Sequence, residues 1–140
     1  MAQLNAYLVF NGNCREAMQF YKGCLGGELN SMTVGNSPMA ATMPAGMRDK
    51  IMHSLLTSGS IRLMASDMID MIGEEGYKHG NTVSLCLVCQ SKEEIQTLFS
   101  KLSQGGQIKH PLKEEFFGTY GDLTDKYGFS WMFQFGENQK

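Results

Sequence analysis

The sequence predicts an α+β fold built from two β-α-β-β-β modules, on three observations. Two amphipathic helices are each framed by a capping residue and a terminal glycine pair, and each follows a strand-like run. The two sets are also in register: Asn13 and Ser91 lie 78 residues apart, and so do Gly27 and Gly105. That period is too long for a solenoid and suits a duplicated half-domain. A first module over 1–66, a joining segment over 67–80 and a second module over 81–140 follow, within one domain of 140 residues.

The elements follow in order. LNAYLVF at 4–10 reads as a strand. In NCREAMQFYKGCLGG at 13–27, Cys14, Ala17, Met18, Tyr21, Cys24 and Leu25 recur at three- and four-residue spacing, one apolar helix face. Asn13 is a favourable N-cap, Glu16 stands at the capping-box position, and Gly26 and Gly27 supply the stop. GELNSMTV at 27–34 reads as the next strand. KIMHSLLTSG and SIRLMAS, over 50–66, read as a hairpin turning at Ser58-Gly59-Ser60. The irregular stretch 34–49, rich in Gly, Pro and Met, is too long for a hairpin turn and has the character of a lid, a binding loop or a disordered segment.

The second module repeats this grammar. TVSLCLV at 82–88 reads as a strand, followed by a helix over SKEEIQTLFSKLSQGG at 91–106. Ser91 caps it, Glu94 completes the box, and Ile95, Leu98, Phe99 and Leu102 form its apolar face. GQIKHPLK, FFGTYGDLTD and FSWMFQF then read as three strands, with a turn around Lys126-Tyr127-Gly128. Period-two alternation puts Ile61, Leu63 and Ala65 opposite Arg62, Met64 and Ser66. Likewise Trp131, Phe133 and Phe135 oppose Ser130, Met132 and Gln134, and Val83, Leu85 and Leu87 oppose Thr82, Ser84 and Cys86. The apolar faces should meet the helices, with the mixed faces turned away from them.

Composition excludes several function classes. A formal charge of −2 leaves no basic footprint for nucleic acid or an anionic membrane. No apolar run approaches the roughly 20 residues of a membrane span, and the N-terminal MAQLNAYLVF lacks signal-peptide grammar, so a cytoplasmic chain is expected. Cys86 and Cys89 have half the spacing of a zinc site, but residues three apart on a strand face opposite ways, so reduced thiols are expected there. The 11 methionines suit either gap-filling in the core or an adaptable pocket. No P-loop, GxSxG, HExxH or GxGxxG motif occurs.

With two such modules in hand, the helix motif with Phe20-Tyr21 followed by Leu25-Gly26 resembles the signature of the vicinal oxygen chelate superfamily, which includes glyoxalase I, bleomycin-resistance proteins and extradiol dioxygenases. Glu115-Phe116-Phe117-Gly118, Tyr120-Gly121, Thr124-Asp125-Lys126-Tyr127-Gly128 and Trp131-Met132 resemble the closing segment of its PhnB-like branch, sometimes labelled demethylubiquinone methyltransferase-like. The resemblance implies a glyoxalase/bleomycin resistance/dihydroxybiphenyl dioxygenase-like fold, with mixed sheets curling around a cavity, helices outside, and a homodimer. The methyltransferase label finds no glycine loop for a methyl donor.

Metal-dependent members take one His, Gln or Glu ligand from the first and last strand of each module. Here those strands offer Asn5 and Tyr7, then Met64, then Thr82 and Ser84, then Met132 and Gln134, so no metal and no other cofactor is expected. The leading reading is a protein binding a small apolar or aromatic molecule, its cavity lined by Met64, Phe116, Phe117, Tyr120 and Met132. Arg62, on a mixed face, suits an anionic ligand or a surface ion pair. The alternative is an enzyme with His53 and Glu115 as acid and base, or with an atypical metal site; equally, His53 reads as a structural strand histidine and Glu115 as half of a solvated Glu114–Glu115 pair. A third possibility is a dimer whose cavity is vestigial. Asp122, Asp125 and Lys126 are expected around a turn, as turn stabilisation and surface charge. Trp131 is expected in the core. The partners expected are a small-molecule ligand and a second copy of the chain.

Overall fold

Alternating strands and one amphipathic helix build a four-stranded mixed sheet in each half of the chain. The structure is a computed structural model that describes residues 1–68 and 76–136. It divides into two compact units, Met1–Lys78 and His79–Lys140. In the first, the elements are β1 (Ala6–Phe10), α1 (Cys14–Leu25), β2 (Glu28–Thr33), β3 (Ile51–Ser58) and β4 (Ile61–Asp67). The second has β5 (Leu85–Val88), α2 (Lys92–Leu102), β6 (Gln107–Glu115), β7 (Gly118–Thr124) and β8 (Ser130–Phe135). The sheet orders are β1-β4-β3-β2 and β5-β8-β7-β6, and the β1–β4 and β5–β8 pairs alone are parallel. These are the α+β modules expected. Of the joining segment, residues 69–75 lie outside the described residues.

The helices bury the faces their spacing predicts. Cys14, Ala17, Met18, Tyr21 and Cys24 of α1 are buried, as are Ile95, Phe99 and Leu102 of α2. Each large side chain so buried contributes about 1.5–3 kcal/mol. Beneath α1 lie Leu8, Phe10, Leu56, Leu63 and Ala65, all on one sheet face. Beneath α2, the Phe99 ring meets Phe133 of β8 edge-on at 5.0 Å, and a Cβ on Gly121 would run into Phe99 and Leu112. Trp131 is in the core as expected. Val83 departs from expectation: β5 starts only at Leu85, and Val83 is exposed.

The two helix starts are satisfied by different chemistry. At α2 the expected side-chain cap forms: Glu94 N–H donates to Ser91 Oγ at 3.0 Å, while the Glu94 carboxylate accepts from Gln90 N–H at 2.7 Å. At α1 the Asn13 side chain makes no cap hydrogen bond. Asp67 replaces it, accepting Cys14 N–H on Oδ1 at 3.0 Å and Ile51 N–H on Oδ2 at 2.8 Å. The parallel β1–β4 pair sets Asp67 opposite Phe10, just ahead of the helix, so a buried carboxylate reaches the orphan donors first. Asp67, which composition assigns to the joining segment, is thus the last residue of β4.

At the helix ends the repeat slips by one. Gly26 and Gly105 share a left-handed φ, 76° and 75°, and it is Gly27 and Gly106 whose α-hydrogens press on the carbonyls of Thr57 and Thr124, where no Cβ fits. The structural equivalents are therefore Gly26 with Gly105 and Gly27 with Gly106. Stretch 34–49 is ordered in three short 3₁₀ turns and tied at both ends, Val34 N–H to Lys50 O at 2.9 Å and Gly35 N–H to Arg48 O at 3.0 Å.

All four cysteines are unbridged thiols, and Cys86 alone is exposed. Burial, with Asp67 nearby, pushes the Cys14 thiol up to about 12, and burial beside Glu94 pushes Cys89 up to about 11. Titration of the native protein with a disulfide reagent near pH 8 is therefore expected to give one fast thiol, lost in Cys86→Ser, with the remainder reacting only on unfolding.

Candidate functional site

On β7 the period-two pattern sends Thr119, Gly121 and Leu123 inward under α2 and leaves Tyr120, Asp122 and Thr124 on the opposite, mixed face. Asp122 is thus in mid-strand, a correction to its expected place at a turn. On β8 the same face carries Ser130, Met132 and Gln134, with Met132 opposite Asp122 and opposite Cys86 of β5. On β6, an edge strand, register breaks fall on both sides of His110, which is followed by Pro111. Pro111 has no N–H for a ladder, and an edge strand tolerates that loss. The break between Ile108 and His110 lets both Lys109 and His110 border the mixed face, where a regular strand would send them opposite ways.

The result is an open cleft of about 440 Å³ wholly within the second unit, bordered among others by Ser84, Lys109, His110, Tyr120, Asp122 and Met132. At its centre is a three-residue network. His110 Nδ1 lies 2.9 Å and 3.1 Å from the two Asp122 carboxylate oxygens, and the Tyr120 hydroxyl donates to Asp122 Oδ2 at 2.7 Å. Partial burial pushes the Asp122 carboxyl up, but the hydrogen bonds from Tyr120 and His110 outweigh it and hold Asp122 below its ordinary range. The Tyr120 phenol is pushed up to about 12 by burial, by its hydrogen bond to Asp122 and by that carboxylate's charge. At neutral pH Asp122 is therefore an acceptor and Tyr120 a donor. Because an ionised carboxylate only accepts, the facing Nδ1 of His110 carries the proton.

Of the residues predicted for the site, Tyr120 and Met132 border this cleft. Glu115 ends β6, exposed, with its carboxylate 3.7 Å from Lys113 Nζ. Phe116 and Phe117 follow it in the β6–β7 turn and meet edge-to-face at 5.2 Å; Phe116 is fully exposed and Phe117 more than a third exposed, and neither borders the cleft. In the first unit, the β3–β4 register sets His53 and Arg62 on the same sheet face as Met64. His53 stands near Tyr7, with ring centroids 6.2 Å apart, and Arg62 Nε is shielded from solvent with no hydrogen-bond partner among the described residues. Asp125, unlike Asp122, does stabilise a turn: it accepts from Tyr127 N–H, Phe129 N–H and the Trp131 indole N–H. Tyr120 stood out in the sequence only as an aromatic near Glu115; its meeting with Asp122 and His110 depends on register breaks that no periodicity shows.

At the strand positions that the resemblance gives to metal ligands, Met64 of β4 stands opposite Tyr7 and Met132 of β8 opposite Cys86, while Thr82 and Ser84 fall before β5 begins. Two thioethers, a phenol and a thiol pushed up by burial do not fit a hard divalent ion, which takes imidazole and carboxylate donors. Among the described residues no group of three or more His, Cys, Asp and Glu side chains is placed to hold a metal. No described helix is long and apolar enough to cross a membrane.

Comparison with known proteins places this architecture. The family model described as 3-demethylubiquinone-9 3-methyltransferase matches residues 2–134. The chain is 31% identical to protein YjdN of Escherichia coli over 137 residues, covering 92% of each. Among solved structures it is similar to protein PA1353 of Pseudomonas aeruginosa, at 40% identity and a TM-score of 0.83, covering 97% of this chain and 98% of that one. It is similar also to a PhnB protein of Bacillus cereus, at 27% identity and a TM-score of 0.71, covering 96% and 100%. A glyoxalase/bleomycin resistance protein/dioxygenase domain from Frankia sp. shares the fold at 12% identity, with a TM-score of 0.65 over 100% of this chain and 96% of that one. The chain belongs to the 3-demethylubiquinone-9 3-methyltransferase (PhnB-like) family and has the glyoxalase/bleomycin-resistance fold.

Proposed function

We propose that this chain is a PhnB-like small-molecule-binding protein that holds a compact, partly aromatic or apolar ligand against the mixed face of its second sheet, without the divalent metal of the metal-dependent members. The cleft carries this reading: about 440 Å³ of concave surface in which the Met132 thioether lies beside the hydrogen-bonding groups of Tyr120, Asp122 and His110. A thioether set among several convergent polar groups suits a compact ligand that carries both an apolar and a polar part. The donor chemistry at Tyr7, Met64, Cys86 and Met132 supports binding without metal. Methyl transfer, named in the family's description, is not carried over, because the turns entering α1 and α2, Asn11-Gly12-Asn13 and Cys89-Gln90-Ser91, offer no glycine-rich loop for a methyl donor.

The test is a metabolite panel read by thermal shift, with native mass spectrometry of freshly purified protein for subunit count, metal and co-purified ligand. A ligand present at 100 times its Kd is expected to stabilise by about 2.7 kcal/mol, roughly 8 °C in Tm, and the shift should shrink in Met132→Asp. Stoichiometric metal together with binding lost on chelation would overturn the metal-free reading. A panel without a single shift would overturn the binding role.

A further inference from the structure

We propose that His110, oriented by Asp122, is the proton-accepting group of the second-sheet cleft, and that the cleft takes small molecules bearing an acidic hydroxyl, phenols and enols foremost. This rests on the small-molecule reading above and assigns its chemistry.

The geometry dictates the direction of proton movement. With Nδ1 engaged by the Asp122 carboxylate, Nε2 is the one ring nitrogen of His110 left for a ligand. Tyr120 holds its proton in the hydrogen bond to Asp122 Oδ2 and so is a weaker acceptor than an imidazole nitrogen. A hydroxylic ligand therefore meets an acceptor at Nε2. When the proton moves, the ligand O–H bond breaks, an Nε2–H bond forms, and the electron pair stays on the ligand oxygen. The resulting imidazolium faces the Asp122 carboxylate, with which Nδ1 is already in hydrogen-bond contact, although the 74% exposure of His110 leaves that attraction partly screened by water. The ligand oxyanion is matched by the positive charge of Lys109 and by the hydroxyls of Ser84, Thr124 and Ser130, which border the same cleft. A ring attached to that oxygen has Met132 to rest on, a favourable sulfur–aromatic contact. The titratable side chains bordering the cleft are Lys109, His110, Tyr120 and Asp122, and each has a part in this arrangement.

The probe is 4-nitrophenol, whose phenolate absorbs in the visible. At a pH below its ionisation in free solution, the wild-type protein is expected to bind it saturably with a gain of the phenolate band. In His110→Gln, binding should weaken about tenfold or more and the band gain vanish. Because the His110 side chain is 74% exposed, that change leaves the fold intact, which circular dichroism checks. In Asp122→Asn, an isosteric change, the probe should still bind while the band gain falls, and ¹⁵N spectra of the His110 ring should lose the Nδ1–H tautomer seen in the wild type. Equal affinity and equal band gain in wild type and His110→Gln would overturn the assignment, as would no saturable binding of 4-nitrophenol to the wild type. If panel ligands still shift the melting temperature while 4-nitrophenol does not bind, the small-molecule reading stands and the proton-accepting role falls. If neither binds, both fall.

Discussion

Asp67→Ala is expected to destabilise the protein by about 3–5 kcal/mol, a fall in Tm of roughly 10 °C or more. The carboxylate is buried and accepts one hydrogen bond from the first N–H of α1 and another from the first N–H of β3. Hydrogen bonds to a charged group are worth about 1.5–3 kcal/mol each, and alanine leaves both donors buried and unpaired. It also removes a negative charge from the positive end of α1. Asp67→Asn retains one acceptor oxygen but turns an NH₂ toward the other donor, so about half the loss should remain. Asn13→Ala is the informative control. An N-cap asparagine is ordinarily worth about 1 kcal/mol, yet the Asn13 side chain makes no cap bond, so its removal should cost only a few tenths. Thermal melts of the three variants, with hydrogen exchange at the amides of Cys14 and Ile51, check this. A larger loss in Asn13→Ala than in Asp67→Ala would refute it.

Asp125→Ala is expected to cost a similar amount, about 3–5 kcal/mol, in the second unit. Asp125 is 3% exposed and gathers three donors: Tyr127 N–H at 2.8 Å, Phe129 N–H at 3.1 Å and the Trp131 indole N–H at 2.8 Å. The first two shape the turn that starts β8, and the third anchors the buried indole under the sheet. Alanine would remove the acceptor from all three, the buried indole N–H losing most. Trp131 is the chain's single tryptophan, so its fluorescence reports this region directly. Denaturant melts should show a lower midpoint with the slope unchanged, and Asp125→Asn should fall between alanine and wild type. A midpoint unmoved in Asp125→Ala would mean that the turn and the indole find other partners.

Local pattern is strong where one face of an element is buried, and there the sequence read well. The 3.6-residue recurrence in 14–25 and 92–102, and the alternation in β4 and β8, correspond to the faces that are buried. The Ser91–Glu94 cap was legible because both partners lie within one helical turn. The cap on α1 was not, since its acceptor arrives from β4, 53 residues away along the chain. Asn13 had the right composition, but a carboxylate held out of water by β4 outcompetes it.

The candidate site divides in the same way. Met132 was accessible to pattern, because alternation alone puts it on a mixed face, and Tyr120 to residue type, as an aromatic near Glu115. Phe116 and Phe117, though aromatic and next to Glu115, fall in a turn, where alternation ends and side chains meet solvent. His110 stood in a run that reads as an edge strand before a proline, and nothing nearby in sequence marks Asp122 as its partner.

The duplicated β-α-β-β-β order and the buried faces were already written in the sequence. These depend on period and residue type, which are local. Only the tertiary structure decided that Asp67 would cap α1, that Asp125 would hold the indole of Trp131, and that His110, Asp122 and Tyr120 would meet in one cleft. Each of those contacts joins side chains through strand register and bulges, and register is set by how whole faces pack, not by any short stretch of the chain.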